Sequence, residues 1–235
     1  GAGGDGDPTN GANWDGDVAP NLKLPLANVR VPASAVNRRI VTSGAMKIYG
    51  LAVTDGSFEL VGSGAGAALT VDAGGVTMAG TATKLTVNAN LKGYYYGICG
   101  NGNRGYTDIV VNGGTITAAA TDTNVAIFNP QPNSTLVIND GTITGLDSAG
   151  EIRGGSLTVN GGTLTATSET YEIEASGSGN TTKGAGVAVA QHTTKGDIAV
   201  EIAGGTLNGL KAVSVTNPQK NDTTNVAVEL GEVVL

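Results

Sequence analysis

Histidine and cysteine each occur once in this 235-residue chain, as His192 and Cys99, and that scarcity removes whole classes of chemistry. A single cysteine excludes an internal disulfide, although long secreted repeat proteins do without such staples, so the thiol leaves the compartment open. Any Ser/His/Asp triad, Cys/His pair or histidine metal site would have to use His192, whose neighbours are Gln191, Thr193 and Thr194. No G-x-S-x-G or H-E-x-x-H occurs. Asp5, Asp7, Asp15 and Asp17 invite a calcium reading, but neither EF-hand spacing nor a tandem G-G-x-G-x-D array accompanies them. No catalytic residue, metal ligand or cofactor is therefore assigned. Basic residues are few, 13 against 20 acidic ones for a formal charge of -7, and no basic run exceeds Arg38-Arg39, so a nucleic-acid backbone would be repelled. No apolar run is long enough to span a bilayer, and no membrane insertion is expected. The chain opens at Gly1 without Met, which fits a processed or trimmed piece. Aromatics make up only 4% and charged residues 14%, which excludes both an ordinary aromatic core and charge-driven disorder.

What the chain has instead is glycine, 38 residues of it, and a repeat. L-T-V-N-G-G-T-L-T at Leu157 to Thr165 returns as I-V-V-N-G-G-T-I-T from Ile109, as L-V-I-N-D-G-T-I-T from Leu136, and more distantly between Asp197 and Asn208. Each copy reads as strand, corner, strand, with apolar residues alternating with small or polar ones at the period of a half-buried strand. A further short strand precedes each copy, containing Ile98, Ile127, Ile152, Val189 or Val215, at steps of 29, 25, 37 and 26 residues. Three strands per turn wind the chain into a coil. Coils stacked at about 4.8 Å turn Ile109/Leu136/Leu157/Val200 and Ile116/Ile143/Leu164/Leu207 into continuous apolar ladders. Asn112, Asn139 and Asn160 fall at one corner, where each amide can bond its neighbours in adjacent coils, and the glycines that follow permit positive φ.

The expected architecture is an all-β parallel β-helix over residues 40–235, with a Gly/Asp-rich linker and extended N-terminal arm over residues 1–39. Pro25 and Pro32 suit an edge or arm, and Trp14 is expected to pack over an open end of the body. The step of 37 marks an insertion near 166–184 that leaves the coil, a position where solenoids often carry a binding surface or simply an extra hairpin.

Candidate ligand-binding residues come from the loops after each short first strand, expected to stack as one wall: Arg104, Tyr106, Asn129, Gln131, Arg153, Gln191, His192, Asn217 and Gln219. Amides, hydroxyls and planar groups are what sugar recognition uses, although turns are made of such residues in any case. For polysaccharide cleavage a coil stack offers a suitable groove, but the outward acids Asp108, Asp140, Asp147 and Glu151 are scattered. Paired threonines at Thr115/Thr117, Thr142/Thr144 and Thr163/Thr165 form a short array of the kind that matches ice, although threonine is favoured on any outward strand face.

The run Y-Y-Y-G-I-C-G-N-G-N-R-G from Tyr94, the repeated V-N-G-G-T-I-T, E-I-R-G-G-S-L-T-V-N-G-G-T-L-T-A-T and G-A-G-V-A-V-A-Q-H-T-T followed by N-P-Q resemble β-helical repeats of large cell-surface, adhesin-like proteins of gut anaerobic bacteria. They are also similar to repeats carried by phages of such hosts. The resemblance implies a right-handed parallel β-helix, displayed at a cell or virion surface, with no assigned enzyme activity. The leading expectation is a non-enzymatic adhesion or carbohydrate-contact module whose partner is a glycan or host-surface receptor. The alternatives are a phage fibre or decoration protein and a polysaccharide-active lyase or hydrolase. The N-terminal segment lies outside the resemblance and is a candidate attachment to a larger protein or particle.

Overall fold

The computed structural model describes residues 7–14, 19, 28–35, 38–100, 106–175, 179–192, 196–220 and 225–231. Among these residues the strands form three long parallel sheets, and each circuit of the chain contributes one strand to each sheet in turn. Sheet A runs from Asn28–Val31 through Gly50–Val53, Val76–Met78, Tyr96–Cys99, Val125–Asn129, Ser148–Ile152 and Ala185–Ala190 to Lys211–Thr216. Sheet B runs from Arg39–Thr42 to Val226–Leu230, and sheet C from Ala45–Ile48 to Thr206–Asn208. This is a parallel β-helix of seven complete coils and two strands of an eighth. Its first strand, Asn28–Val31, falls inside the segment read as an arm and pairs with Gly50–Val53 in register.

The ladders follow from the period-two alternation. Phe58, Leu85, Ile109, Leu136, Leu157, Val200 and Val228 stack in successive coils of sheet B. Met46, Leu69, Leu91, Ile116, Ile143, Leu164 and Leu207 do so in sheet C. These rows belong to one central apolar cluster, against which Trp14 also packs while its Nε1 donates to the Pro8 carbonyl at 2.9 Å. The B–C corner carries the asparagine ladder: Asn160 Nδ2 donates to Asn139 Oδ1, and Asn139 Nδ2 to Asn112 Oδ1, each at 2.8 Å. Two residues beyond each asparagine stands a left-handed glycine, Gly114 at φ 90°, Gly141 at 119° and Gly162 at 86°.

Sheet A differs from the sequence reading in register. Ile98 pairs with Ile127, but Ile127 pairs with Gly150, while Ile152 pairs with Asn129 and Val189. A slip of two keeps a side chain on the same face, so alternation alone could not fix this row. The insertion is an antiparallel hairpin of Glu172–Ile173 with Thr182–Lys183, set between the sixth strand of sheet C and the seventh of sheet A.

Candidate functional site

The residues nominated from sequence lie at the A–B corner, where each sheet A strand hands over to sheet B. Arg104 falls outside the described residues. Tyr106 and Asn217 are exposed and Gln191 and Gln219 half-buried, whereas Asn129, Gln131, Arg153 and His192 are buried. The structure brings three of the buried ones together: Arg153 N–H donates to the Asn129 carbonyl at 3.3 Å, and Gln131 follows two residues on, its Nε2 donating to Thr107 Oγ1 at 2.7 Å. At these buried positions the side chains face protein.

For Arg153 the reason lies on the outer face of sheet A, whereas Asn129 shares the inward row of Ile152 and Val189. Cys99, Phe128, Glu151, Ala188 and Ser214 form one row across five coils. Phe128 and Ala188 are buried yet stand outside the central cluster, because the hairpin insert lies over this face. Tyr171 OH shares a 2.9 Å hydrogen bond with Ser214 Oγ, and Lys211 Nζ lies 5.7 Å from the Tyr171 ring. Beneath the insert Glu151, fully buried, accepts from Arg153 Nε at 2.9 Å, from Thr181 N–H at 2.9 Å and from Thr182 N–H at 3.3 Å. Arg153 also donates to the Gly179 carbonyl and stands 4.9 Å over the Phe128 ring, which stacks on Tyr96. Burial pushes the Glu151 carboxyl up, against the opposing pull of Arg153 and of the Thr181 N–H. Burial likewise raises the Cys99 thiol to about 12, so it stays protonated and a poor nucleophile at neutral pH. A carboxylate wholly enclosed and spent on the insert's backbone holds that insert down. It is not placed to meet a substrate.

Solvent meets chemistry at the C–A corner instead. Tyr49 follows the first strand of sheet C, Tyr94 and Tyr95 follow the third, and Tyr171 lies in the insert after the sixth. All four are exposed, leaving Tyr106 as the exposed tyrosine elsewhere among the described residues. Tyr94 and Tyr95 meet edge to face with ring centroids 4.7 Å apart. A cleft of about 220 Å³ opens on the same corner, lined by Asp122, Asp147, Glu172 and Glu174, with Lys183 reaching Glu172 at 4.0 Å. Asp147 is buried at its base and accepts from Thr123 Oγ1 at 2.6 Å and Asn180 Nδ2 at 2.7 Å. Among the described residues no three His, Cys, Asp or Glu side chains gather as a metal site. The sequence signal for this edge was present in Y-Y-Y at Tyr94, an aromatic run in a chain of 4% aromatics. Reading it needed the corner assignment, which places Tyr49, Tyr94, Tyr95 and Tyr171 on one side.

No family model, curated protein or solved structure matches this chain. Among the described residues no helix is long and apolar enough to cross a membrane.

Proposed function

We propose that this chain is a non-enzymatic, surface-displayed β-helix serving as an adhesion and carbohydrate-contact module, with the C–A corner as its contact edge. The observation that supports the reading is the placing of the exposed Tyr49, Tyr94 and Tyr95 on that edge, beside a polar cleft and the insert that carries Tyr171. Tyrosine offers a flat apolar ring to a sugar face and a hydroxyl to its oxygens, and the rigid coil stack holds such rings at fixed spacing. The acidic lining of the cleft favours a neutral ligand over uronic or sulfated polymers.

The test is a glycan array probed with the wild-type chain, the Tyr94→Ala/Tyr95→Ala variant and Tyr106→Ala. Binding lost in the first variant and kept in the second supports the C–A edge. Loss in Tyr106→Ala alone moves the contact to the A–B corner, and silence across neutral glycans overturns the carbohydrate reading. The rival reading, a polysaccharide-active enzyme, draws on Asp122, Glu172 and Glu174 at the same cleft. Release of reducing ends from a neutral polysaccharide, abolished in Glu174→Gln, would put that reading first.

A further inference from the structure

Asn129 and Gln131, nominated from sequence for an external ligand, are both fully buried, and three of their four amide atoms end on nothing in the protein. Neither Oδ1 nor Nδ2 of Asn129 has a hydrogen-bond partner, and Oε1 of Gln131 has none either. Buried amides are satisfied in all but rare cases, and such groups point to a bound molecule. The register shows which neighbours the Asn129 amide has. Asn129 occupies an inward row with Ile152 and Val189 above it, both members of the apolar core. One coil below, Cys99 pairs with Phe128, so the residue under Asn129 is Gly100, whose N–H donates to the Phe128 carbonyl at 2.7 Å. Gly100 brings no side chain to the row. Gln131 folds back toward that place: a Cβ on Gly100 would overlap its Oε1 and lie 3.0 Å from its Nε2.

We infer that the A–B corner of the fifth coil binds an ordered internal water between the Asn129 amide and Gln131 Oε1, over Gly100. The donor set selects the ligand. Two carbonyl oxygens call for a donor and one NH2 for an acceptor, and water supplies both in one small molecule. A cation would meet the oxygens and be repelled by the Asn129 Nδ2 hydrogens. The remaining polar groups of the seam are already paired among themselves: Gln131 Nε2 with Thr107 Oγ1, Thr107 Oγ1 with Thr83 Oγ1 at 3.2 Å, and Thr107 N–H with Ser134 Oγ at 2.7 Å. Asn129 and Gln131 therefore act as an internal anchor for the loop that follows, and the wet atom they hold belongs to the scaffold. This inference is independent of the proposed carbohydrate contact.

The test begins with the wild-type chain. Nuclear Overhauser transfer from water to the Asn129 side-chain NH2 is expected with the sign of a long-residence contact, and a crystal structure is expected to place a water within hydrogen-bond distance of Asn129 and Gln131 Oε1. Amides that bond each other directly with no water between them overturn the inference, as does an Asn129 NH2 without transfer. A second reading uses magnetic relaxation dispersion of water oxygen, which counts long-lived internal waters. Asn129→Leu, matching the Ile152 and Val189 of its row, is expected to lose one such water relative to wild type, and an unchanged count overturns the inference. If Asn129→Leu does not fold, the two wild-type measurements still decide.

Discussion

The outer faces of sheets C and A start from the same strand period and end as opposites. Over the last four coils of sheet C the outward rows are nearly uniform, Thr115/Thr142/Thr163/Thr206 beside Thr117/Thr144/Thr165/Asn208, and every one of these positions is exposed or half-buried. On sheet A one outward row changes with each coil, from Cys99 to Phe128, Glu151, Ala188 and Ser214, and the later members are buried beneath the insert. Repetition lets a face be built from neighbours alone and leaves it to water. Variation appears where something outside the coil, here the hairpin, imposes its own contacts.

The largest expected effect breaks the covered face. Arg153→Ala leaves Glu151 buried without its cation and takes away the donor to the Gly179 carbonyl, at a cost of about 3–5 kcal/mol in chemical denaturation. Thr142→Ala on the open face should stay within about 0.5 kcal/mol. Equal costs for the two would erase the contrast. Next comes the B–C corner, from which the open face of sheet C begins. Gly162 stands at φ 86°, and a Cβ there would lie 2.7 Å from the Gly141 carbonyl. Gly162→Val should therefore cost about 1–3 kcal/mol in backbone strain before the contact is counted, and a wild-type thermal melt would refute it. Asn139→Ala removes the middle of the asparagine ladder and both of its hydrogen bonds. Because the site is solvated, about 1 kcal/mol is expected by denaturant titration, less than at Gly162.

The same contrast governs what the sequence could tell. The B and C ladders and the asparagine corner were legible because identical residues recur at each coil, so Ile116, Ile143 and Leu164 align by eye and by structure alike. The sheet A row was legible only to within two residues, since Ile152 and Gly150 share a face and nothing repeated marks the register. The wall of stacked loops was half legible. Asn129, Arg153 and His192 do sit at one corner, but Asn129 is buried by its place on the inward row and Arg153 by the hairpin insert, a covering that no local pattern encodes. Glu151 was read as an outward acid, which its strand position supports, while the hairpin that encloses it comes from 20 to 30 residues further on. Tyr49, Tyr94 and Tyr171 come to a single edge only through the coil count, which no local pattern carries.

The smallest expected effect is a difference in the sign of pH dependence between an open corner and the covered face. Asp55, at an A–B corner near the surface, accepts the Ala82 N–H at 2.9 Å and the Thr81 N–H, and these bonds hold its carboxyl below the ordinary aspartate range. Its unfolded form binds protons more readily, so its contribution is complete above the ordinary aspartate value and is lost as pH falls through the depressed one. Glu151 runs the other way. Burial raises its carboxyl above the ordinary glutamate value, so the folded form binds the proton more readily. Its contribution is complete below the ordinary glutamate value and is lost as pH rises through the raised one. Melting temperatures across the acid and neutral range read both at once. Asp55→Asn should flatten the acid limb and leave the neutral limb as it is, whereas Glu151→Gln should flatten the decline above the ordinary glutamate value, whatever it does to the absolute level. Parallel curves for wild type and Glu151→Gln would mean that Arg153 and the Thr181 and Thr182 N–H groups fully offset the burial of that carboxylate, and that the covered face carries no pH signature of its own.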